Sequence, residues 1–153
     1  MLREALIALA MLLSDGNAKS RAQAAVDAVE VVTAEVDATE LYPELAGAPE
    51  EARNKLGRLL IAWSYWESSW IPDALGDQGR SCGVMQVMPR KGTPSCAEMR
   101  SSAVVGYRAG LSQIRALNKI CNGLKPALGA YGSGKCGGLK KLVERRCSKS
   151  GGC

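Results

Sequence analysis

Two carboxylates lie close together in the sequence beside a group of tryptophans, and they could carry out acid–base chemistry. Glu67 falls between Trp66 and Trp70, and Trp63 precedes it by about one helical turn. A carboxyl group packed against indole rings is costly to ionise, so we expect Glu67 to retain a proton near neutral pH, as a general acid must. The second carboxylate, Asp77, follows in a glycine-rich stretch.

Glu67 is expected near the end of an amphipathic helix. Pro49 followed by two acidic residues is typical of a helix start. Apolar residues then recur at steps of three and four, which places them on one helix face with Glu67: Leu56, Leu59, Leu60 and Trp63. Glu67 would therefore end a buried stripe. The alternative is a glutamate whose side chain turns to water at the helix end.

Several other chemistries are excluded by composition. The chain has no histidine, which rules out Ser–His and Cys–His catalysis and zinc sites that need histidine. None of the six cysteines belongs to a Cys-x-x-Cys pair. The glycine-rich residues 132–138 have neither a preceding strand nor the Lys-Ser/Thr ending of a P-loop. We expect no metal and no cofactor.

Separate segments of the chain resemble the soluble lytic transglycosylases, in the same order as in that family. They are residues 67–69 (Glu-Ser-Ser), residues 72–74 (Pro-x-Ala), and residues 83–89 (Gly-Val-Met-Gln-Val-Met-Pro), where the family has Gly-Leu-Met-Gln-x-Met-Pro. Residues 130–134 (Ala-Tyr-Gly-Ser-Gly) are similar to the family's Ala-Tyr-Asn-Ala-Gly. Residues 76–79 (Gly-Asp-Gln-Gly) are also similar to goose-type lysozymes.

The resemblance covers about residues 50 to 135 and implies an enzyme that cleaves the bond between N-acetylmuramic acid and N-acetylglucosamine in peptidoglycan. In the transglycosylases the glutamate that Glu67 resembles acts first as acid and then as base, and leaves a 1,6-anhydromuramyl end. In goose-type lysozymes an aspartate at the place of Asp77 positions water, which gives hydrolysis with inversion. A relative that binds the cell wall without cleaving it is a further alternative.

The resemblance also implies substrate-binding residues. Four of them belong to the tight run Gly83, Val84, Met85 and Gln86, which would line a cleft and hold N-acetyl groups. The Tyr131 hydroxyl would point towards Glu67 or the sugar. Two structural alternatives stand beside these roles: methionine most often fills a core, and a buried tyrosine can bond to backbone.

The remaining assignments on these motifs are less direct. Ser68 is a candidate for substrate binding, although closing the end of the helix is its simpler role. Gly132 and Ser133 replace the family's Asn and Ala. This departure puts in doubt how the loop after Tyr131 is held and whether the chain has full activity.

We expect an α+β protein, mostly α, with a lysozyme-like fold and a small antiparallel ribbon around residues 75–88. Residues 1–46 are predicted to form an acidic, helical N-terminal extension, and residues 47–153 the catalytic domain with a basic C-terminal helix. Residues 1–13 are either a packed first helix or a signal-like segment, because their apolar run is too short for a bilayer span.

Helix signals outside the site are also clear. Ser20 could cap a helix with an apolar stripe, and Ser101 or Ser102 could cap a long helix through Cys121. Pro126 is expected to open a short helix that ends at Gly132. The basic helix over residues 139–147 is expected to turn its lysines and arginines to solvent rather than to a ligand.

Charge is unevenly distributed along the chain. Residues 1–50 carry three basic and nine acidic groups, whereas residues 51–153 carry seventeen basic and six acidic groups. A basic body suits an anionic polymer. Peptidoglycan is preferred to nucleic acid because the basic tail has no interleaved aromatic residues. The acidic segment could dock on the basic body or on a partner.

Six cysteines in a chain of this size favour an oxidising compartment over a reduced cytosolic protein. Fifteen full pairings are possible, and we favour Cys82 with Cys96 and Cys121 with Cys136 as local crosslinks worth about 3 kcal/mol each. An extracytoplasmic location follows: periplasm, cell wall, secreted or virion-associated.

Overall fold

The structure, a computed structural model, describes residues 2–13 and 19–153, apart from the Lys19 side chain. It is about 70% helical with one small sheet, so the expectation of an α+β, mostly α protein is confirmed. The elements of the described residues are α1 (Leu2–Leu13), α2 (Lys19–Ala34), α3 (Pro49–Ser68), β1 (Leu75–Gly76), β2 (Ser81–Cys82), α4 (Cys96–Ser101), α5 (Ala103–Cys121), α6 (Leu124–Ser133) and α7 (Lys140–Ser150). Short 3-10 segments lie at Ala38–Glu40, Pro43–Leu45 and Asp77–Gly79.

Helix α3 is the central element and contacts α1, α2 and α7. It begins at Pro49, as predicted, with Glu50 and Glu51 in its first turn. Its apolar stripe is fully buried, because the residues spaced by three and four all face the core: Leu56, Leu59, Leu60 and Trp63. The helix ends at Ser69, which adopts the left-handed conformation (φ 53°).

The predicted ribbon is present and short. Strands β1 and β2 are antiparallel, with Leu75 opposite Cys82 and Gly76 opposite Ser81. A further antiparallel bridge joins Cys82 to Val87. The chain therefore folds back twice within the predicted range, and these turns present the Asp77 segment and the residues after Gln86 on one side of α3.

Helix boundaries outside α3 follow the sequence signals with several exceptions, one of which is α7, which runs to Ser150 and not to Cys147. Ser102 caps α5 and accepts a hydrogen bond from the Val105 amide, as expected. Ser20 was predicted as a cap, but α2 already begins at Lys19, so Ser20 lies inside the helix. Helix α6 begins at Leu124, two residues before Pro126, since proline is tolerated in the first helical turn.

Three disulfides brace the chain. Both predicted pairs, Cys82–Cys96 and Cys121–Cys136, are confirmed, and the third joins Cys147 to Cys153. Such a set of disulfides fits an oxidising compartment. Within residues 2–13 and 19–153, none of the helices combines the length and apolar character that a bilayer span requires.

The acidic N-terminal segment contacts the basic body. Helix α1 is packed, with Leu6 and Leu9 buried in the same core as α3 and α5. Two ion pairs join the segment to α5: Glu35 with Arg108 and Glu40 with Arg115, the latter at 2.6 Å. The predicted boundary between residues 46 and 47 falls between the Pro43–Leu45 segment and α3, and it stays a prediction.

Candidate active site

A cleft of about 1050 Å³ opens beside the C-terminal half of α3. One side is formed by the ribbon and the residues after it, and the other by α6 and α7, while α5 contributes Gln113 and Leu117. Its polar and charged side chains are Glu67, Asp77, Arg80, Ser81, Gln86, Arg90, Gln113, Tyr131, Ser133 and Arg146. The fold therefore brings Glu67, Asp77, Gln86 and Tyr131 from separate sequence motifs to one cavity.

Glu67 lies on the surface of this cleft and is ion-paired. Arg146 Nη1 donates to Glu67 Oε1 at 2.9 Å. The Glu67 side chain is 22% exposed and that of Arg146 is 14% exposed, so both groups are largely removed from solvent. The alternative of a glutamate that turns to open water at a helix end does not hold here.

Arg146 is also stacked on the tryptophans. Its guanidinium carbon lies 4.7 Å from the centroid of the Trp63 ring and 5.3 Å from that of Trp66. This geometry is typical of a cation–π contact, which is stronger when the cation is desolvated. The indole rings therefore contact the arginine that pairs with Glu67, whereas the sequence had suggested a lone carboxyl group against them.

The expectation that the basic residues of α7 face solvent is only partly right. Lys140, Lys141 and Arg145 are exposed, but Arg146 turns inward. The spacing contained a signal for this: cleft-lining residues follow at steps of one, three and four along the segment, namely Leu139, Leu142, Val143 and Arg146. The high density of charge around Arg146 masked this stripe.

Tyr131 packs between the two sides of the site. Its ring meets Trp63 edge-on, with centroids 6.5 Å apart, and its hydroxyl donates to the Met85 carbonyl oxygen at 2.6 Å. Burial, followed by the nearby Glu67 carboxylate, raises the pKa of the Tyr131 phenol well above its usual range, so the hydroxyl is a neutral donor. The backbone-bonded alternative describes this residue, and not a hydroxyl directed at Glu67.

Asp77 is held in the turn between β1 and β2. Its carboxylate accepts a hydrogen bond from the Ser81 hydroxyl, and its carbonyl oxygen accepts one from Arg80 Nε at 3.0 Å. The residue has a positive φ of 49°, an uncommon conformation that aspartate tolerates better than most residues. Asp77 thus lies in the same cleft as Glu67.

The tight run after β2 supports the cleft mainly from behind. Val84 and Met85 are fully buried, and Gly83 has φ 75° with room for no side chain, since a Cβ there would lie 2.9 Å from the Met99 carbonyl oxygen. The structure places these three predicted substrate-binding residues beneath the cleft surface, where Met85 fills the core. Gln86 is the member of the run that lines the cleft.

Gln86 and Ser68 are fixed by backbone hydrogen bonds. Gln86 Nε2 donates to the Gly83 carbonyl oxygen at 2.9 Å, and its Oε1 occupies the space that a side chain at Gly76 would need. The Ser68 hydroxyl bonds to the carbonyl oxygens of Ser64 and Val84, at 3.1 and 2.7 Å. Ser68 is absent from the cleft lining within the described residues, and it ties the end of α3 to the tight run.

Neither a metal site nor a known relative assigns a function to the described residues of this region. Within residues 2–13 and 19–153, no group of three or more cysteines, aspartates or glutamates could hold a metal ion. Comparison of the chain with models of known protein families, with curated proteins and with solved structures gives no match. The geometry of the cleft and the motifs that form it are therefore the basis for assigning a function.

Proposed function

We propose that this chain is a peptidoglycan-cleaving enzyme with a lysozyme-like fold, and that it acts as a lytic transglycosylase on the bond between N-acetylmuramic acid and N-acetylglucosamine. The observation that carries the proposal is the position of Glu67, on the surface of a large cleft that it shares with Asp77, Gln86 and Tyr131. The resemblance of the motifs around Glu67 and Tyr131 to the soluble lytic transglycosylases supplies the reaction.

The reaction requires one carboxyl group in two roles. Glu67 first takes up a proton from solvent and donates it to the leaving glycosidic oxygen. The resulting carboxylate then removes the proton of the muramyl 6-hydroxyl while the 6-oxygen bonds to the anomeric carbon. The product carries a 1,6-anhydro ring, and no water is consumed.

Arg146 has a specific place in this scheme. In the resting cleft its Nη1 donates to Glu67 Oε1, which fixes the orientation of the carboxyl group. After proton donation Arg146 can pair again with the carboxylate through a charge-assisted hydrogen bond and hold it for the second step. Arg146 is thus a positioning residue for Glu67.

The polar lining of the cleft fits a glycan substrate. Gln86 and Gln113 line the cleft, and their amide groups can bond to the hydroxyl and N-acetyl groups of sugar rings. Trp63 is 2% exposed and is covered by Arg146, so it supports the cleft from behind. The disulfides support an extracytoplasmic site of action, in a periplasm, a cell wall, a secreted fluid or a virion.

A second candidate reaction is favoured by one observation: Asp77 lines the same cleft as Glu67. A second carboxylate about 6.5–9.5 Å from the acid leaves room for a water between them, and the enzyme would then be an inverting muramidase. In that case Asp77 positions the water that attacks the anomeric carbon, and the product has a reducing muramyl end.

Mass spectrometry of digested peptidoglycan separates these reactions. We expect the wild-type protein to release 1,6-anhydromuramyl ends, Glu67→Gln to release none, and Asp77→Asn to remain active. Glu144→Gln is the matched control, because Glu144 is an exposed residue of α7 outside the cleft lining. Reducing ends that depend on Asp77 would instead identify the muramidase, and wall binding without any product would contradict both enzymes.

A further inference from the structure

The ribbon side of the cleft carries two arginines that the proposed reaction does not use. Arg80 and Arg90 both line the cleft, and both are exposed to solvent. Within residues 2–13 and 19–153, no carboxylate forms an ion pair with either guanidinium. Two unpaired cations in a substrate cleft cost nothing in desolvation while water surrounds them, and they are free to bind an anion.

The Arg80 side chain is oriented before any ligand arrives. Its Nε donates to the Asp77 carbonyl oxygen at 3.0 Å, and among the described residues its terminal N–H groups have no hydrogen-bond acceptor. A guanidinium held by one nitrogen loses less conformational freedom when it binds a ligand than a free side chain would. The neighbouring Asp77 carboxylate accepts from the Ser81 hydroxyl and does not neutralise Arg80.

Arg90 projects from a loop that is also constrained. The Arg90 amide donates to the Thr93 hydroxyl at 2.8 Å, and the Thr93 amide donates to the Arg90 carbonyl oxygen at 3.0 Å. Cys82 precedes this turn and Cys96 follows it, so their disulfide constrains the segment that contains Arg90. Both arginines are therefore carried by a braced side of the cleft.

We propose that Arg80 and Arg90 form a subsite for a carboxylate on the peptide that substitutes the muramyl ring. The planar guanidinium matches a carboxylate through two parallel hydrogen bonds, and a neutral sugar ring gives no reason for two cations. Arg146 is not available for this role because Glu67 occupies it. This inference rests on the proposed peptidoglycan substrate and adds a preference for glycan strands that bear acidic peptides.

The test compares binding to two forms of purified peptidoglycan from which attached phosphate polymers have been removed. One form has its native peptide carboxylates, and in the other they are converted to amides. The protein carries Glu67→Gln to suppress turnover, and binding is measured by co-sedimentation. We expect roughly tenfold tighter binding to the native form, since two exposed ion pairs contribute at most a few-fold each.

The arginine variants locate the effect. In the same background, Arg80→Gln with Arg90→Gln should reduce binding of native peptidoglycan to the level of the amidated form and leave binding of the amidated form unchanged. Lys141→Gln with Arg145→Gln removes the same two charges from exposed positions outside the cleft and should change neither. Wild-type kinetics give a second measurement: amidation should raise KM about tenfold with little change in kcat.

The outcomes separate this inference from the proposed reaction. Equal binding to native and amidated peptidoglycan would overturn the carboxylate subsite even if cleavage is observed. A preference that appears only when phosphate polymers are left on the wall would overturn it in favour of a phosphate ligand. A carboxylate preference without any cleavage would support the subsite and contradict the enzyme.

Discussion

Two arginine–glutamate pairs in this protein have the same chemistry and different surroundings. Glu67 pairs with Arg146 across 79 residues of sequence, and Glu35 pairs with Arg108 across 73. The N–O distances are 2.9 Å for the first pair and 2.7 Å for the Arg108 Nε bond of the second. The side chains of the cleft pair are 22% and 14% exposed, whereas those of the outer pair are 39% and 50% exposed.

The difference shows that exposure, and not distance, decides what such a pair does. The hydrogen bond from Arg108 lowers the pKa of Glu35, but water and salt screen an exposed pair, so the pair adds little to stability. The cleft pair is partly desolvated and stacked on two indole rings. If one member of the cleft pair is removed, less water is available to solvate the charge that remains.

The largest expected effect is on catalysis. Glu67→Gln should reduce the release of muropeptides by about 10² to 10⁴-fold, because the amide cannot donate the proton that the leaving oxygen needs. Glu35→Gln is the matched change in the outer pair and should leave the rate unchanged. A similar loss of activity in both variants would mean that the cleft pair has no special chemical role.

Alkaline pH should destabilise the protein because it ionises buried tyrosines. One of them, Tyr131, lies beside the cleft pair. Burial raises the pKa of Tyr42, Tyr107 and Tyr131, and the Glu67 charge raises that of Tyr131 further. A raised folded-state pKa contributes stability below the unfolded value of about 10, and this stability is lost as the pH rises above that value. The melting temperature, measured by circular dichroism, should therefore fall above about pH 10.

The phenolate absorbance checks the cause of that fall. For these three tyrosines it should appear together with the loss of helical signal, because ionisation requires water. If their phenolate forms near pH 10 in protein that is still folded, then burial does not control their titration.

The cleft pair should stabilise the protein more than the outer pair does, because its side chains are less exposed. Arg146→Gln should lower the free energy of unfolding by about 1–3 kcal/mol, less than the loss for a fully buried pair, and Arg146→Lys should recover part of it. Arg108→Gln should cost much less than Arg146→Gln, because water replaces the lost partner of an exposed pair. Equal costs in urea unfolding would contradict the comparison.

A smaller effect is expected at the hydrogen bond of the neutral Tyr131 hydroxyl. Tyr131→Phe keeps the edge-on contact with Trp63 but removes the hydrogen bond to the Met85 carbonyl oxygen. This should lower the free energy of unfolding by about 1 kcal/mol, as for the loss of one partly buried hydrogen bond. Residual activity should be retained, because the hydroxyl bonds to backbone and not to Glu67. An inactive but fully folded Tyr131→Phe would show that the hydroxyl takes part in the reaction.

The sequence by itself determined the features that depend on short spacings. Helix α3 begins at Pro49 and buries its stripe because proline, two acids and a three/four repeat act within a few turns of chain. The ribbon lies in the predicted range, and two disulfides join cysteines only 14 and 15 residues apart. Local geometry leaves few alternatives over such distances.

Tertiary structure alone decided which groups meet inside the cleft. The spacing along α7 places Arg146 on the same helix face as Leu142 and Val143, but it does not say what that face meets. The partner of Arg146, Glu67, lies 79 residues away, and the Tyr131 hydroxyl and its acceptor, the Met85 carbonyl oxygen, are 46 residues apart. Contacts of this range depend on how α3, α6 and α7 pack, because packing sets both the distance between two side chains and the amount of water left between them.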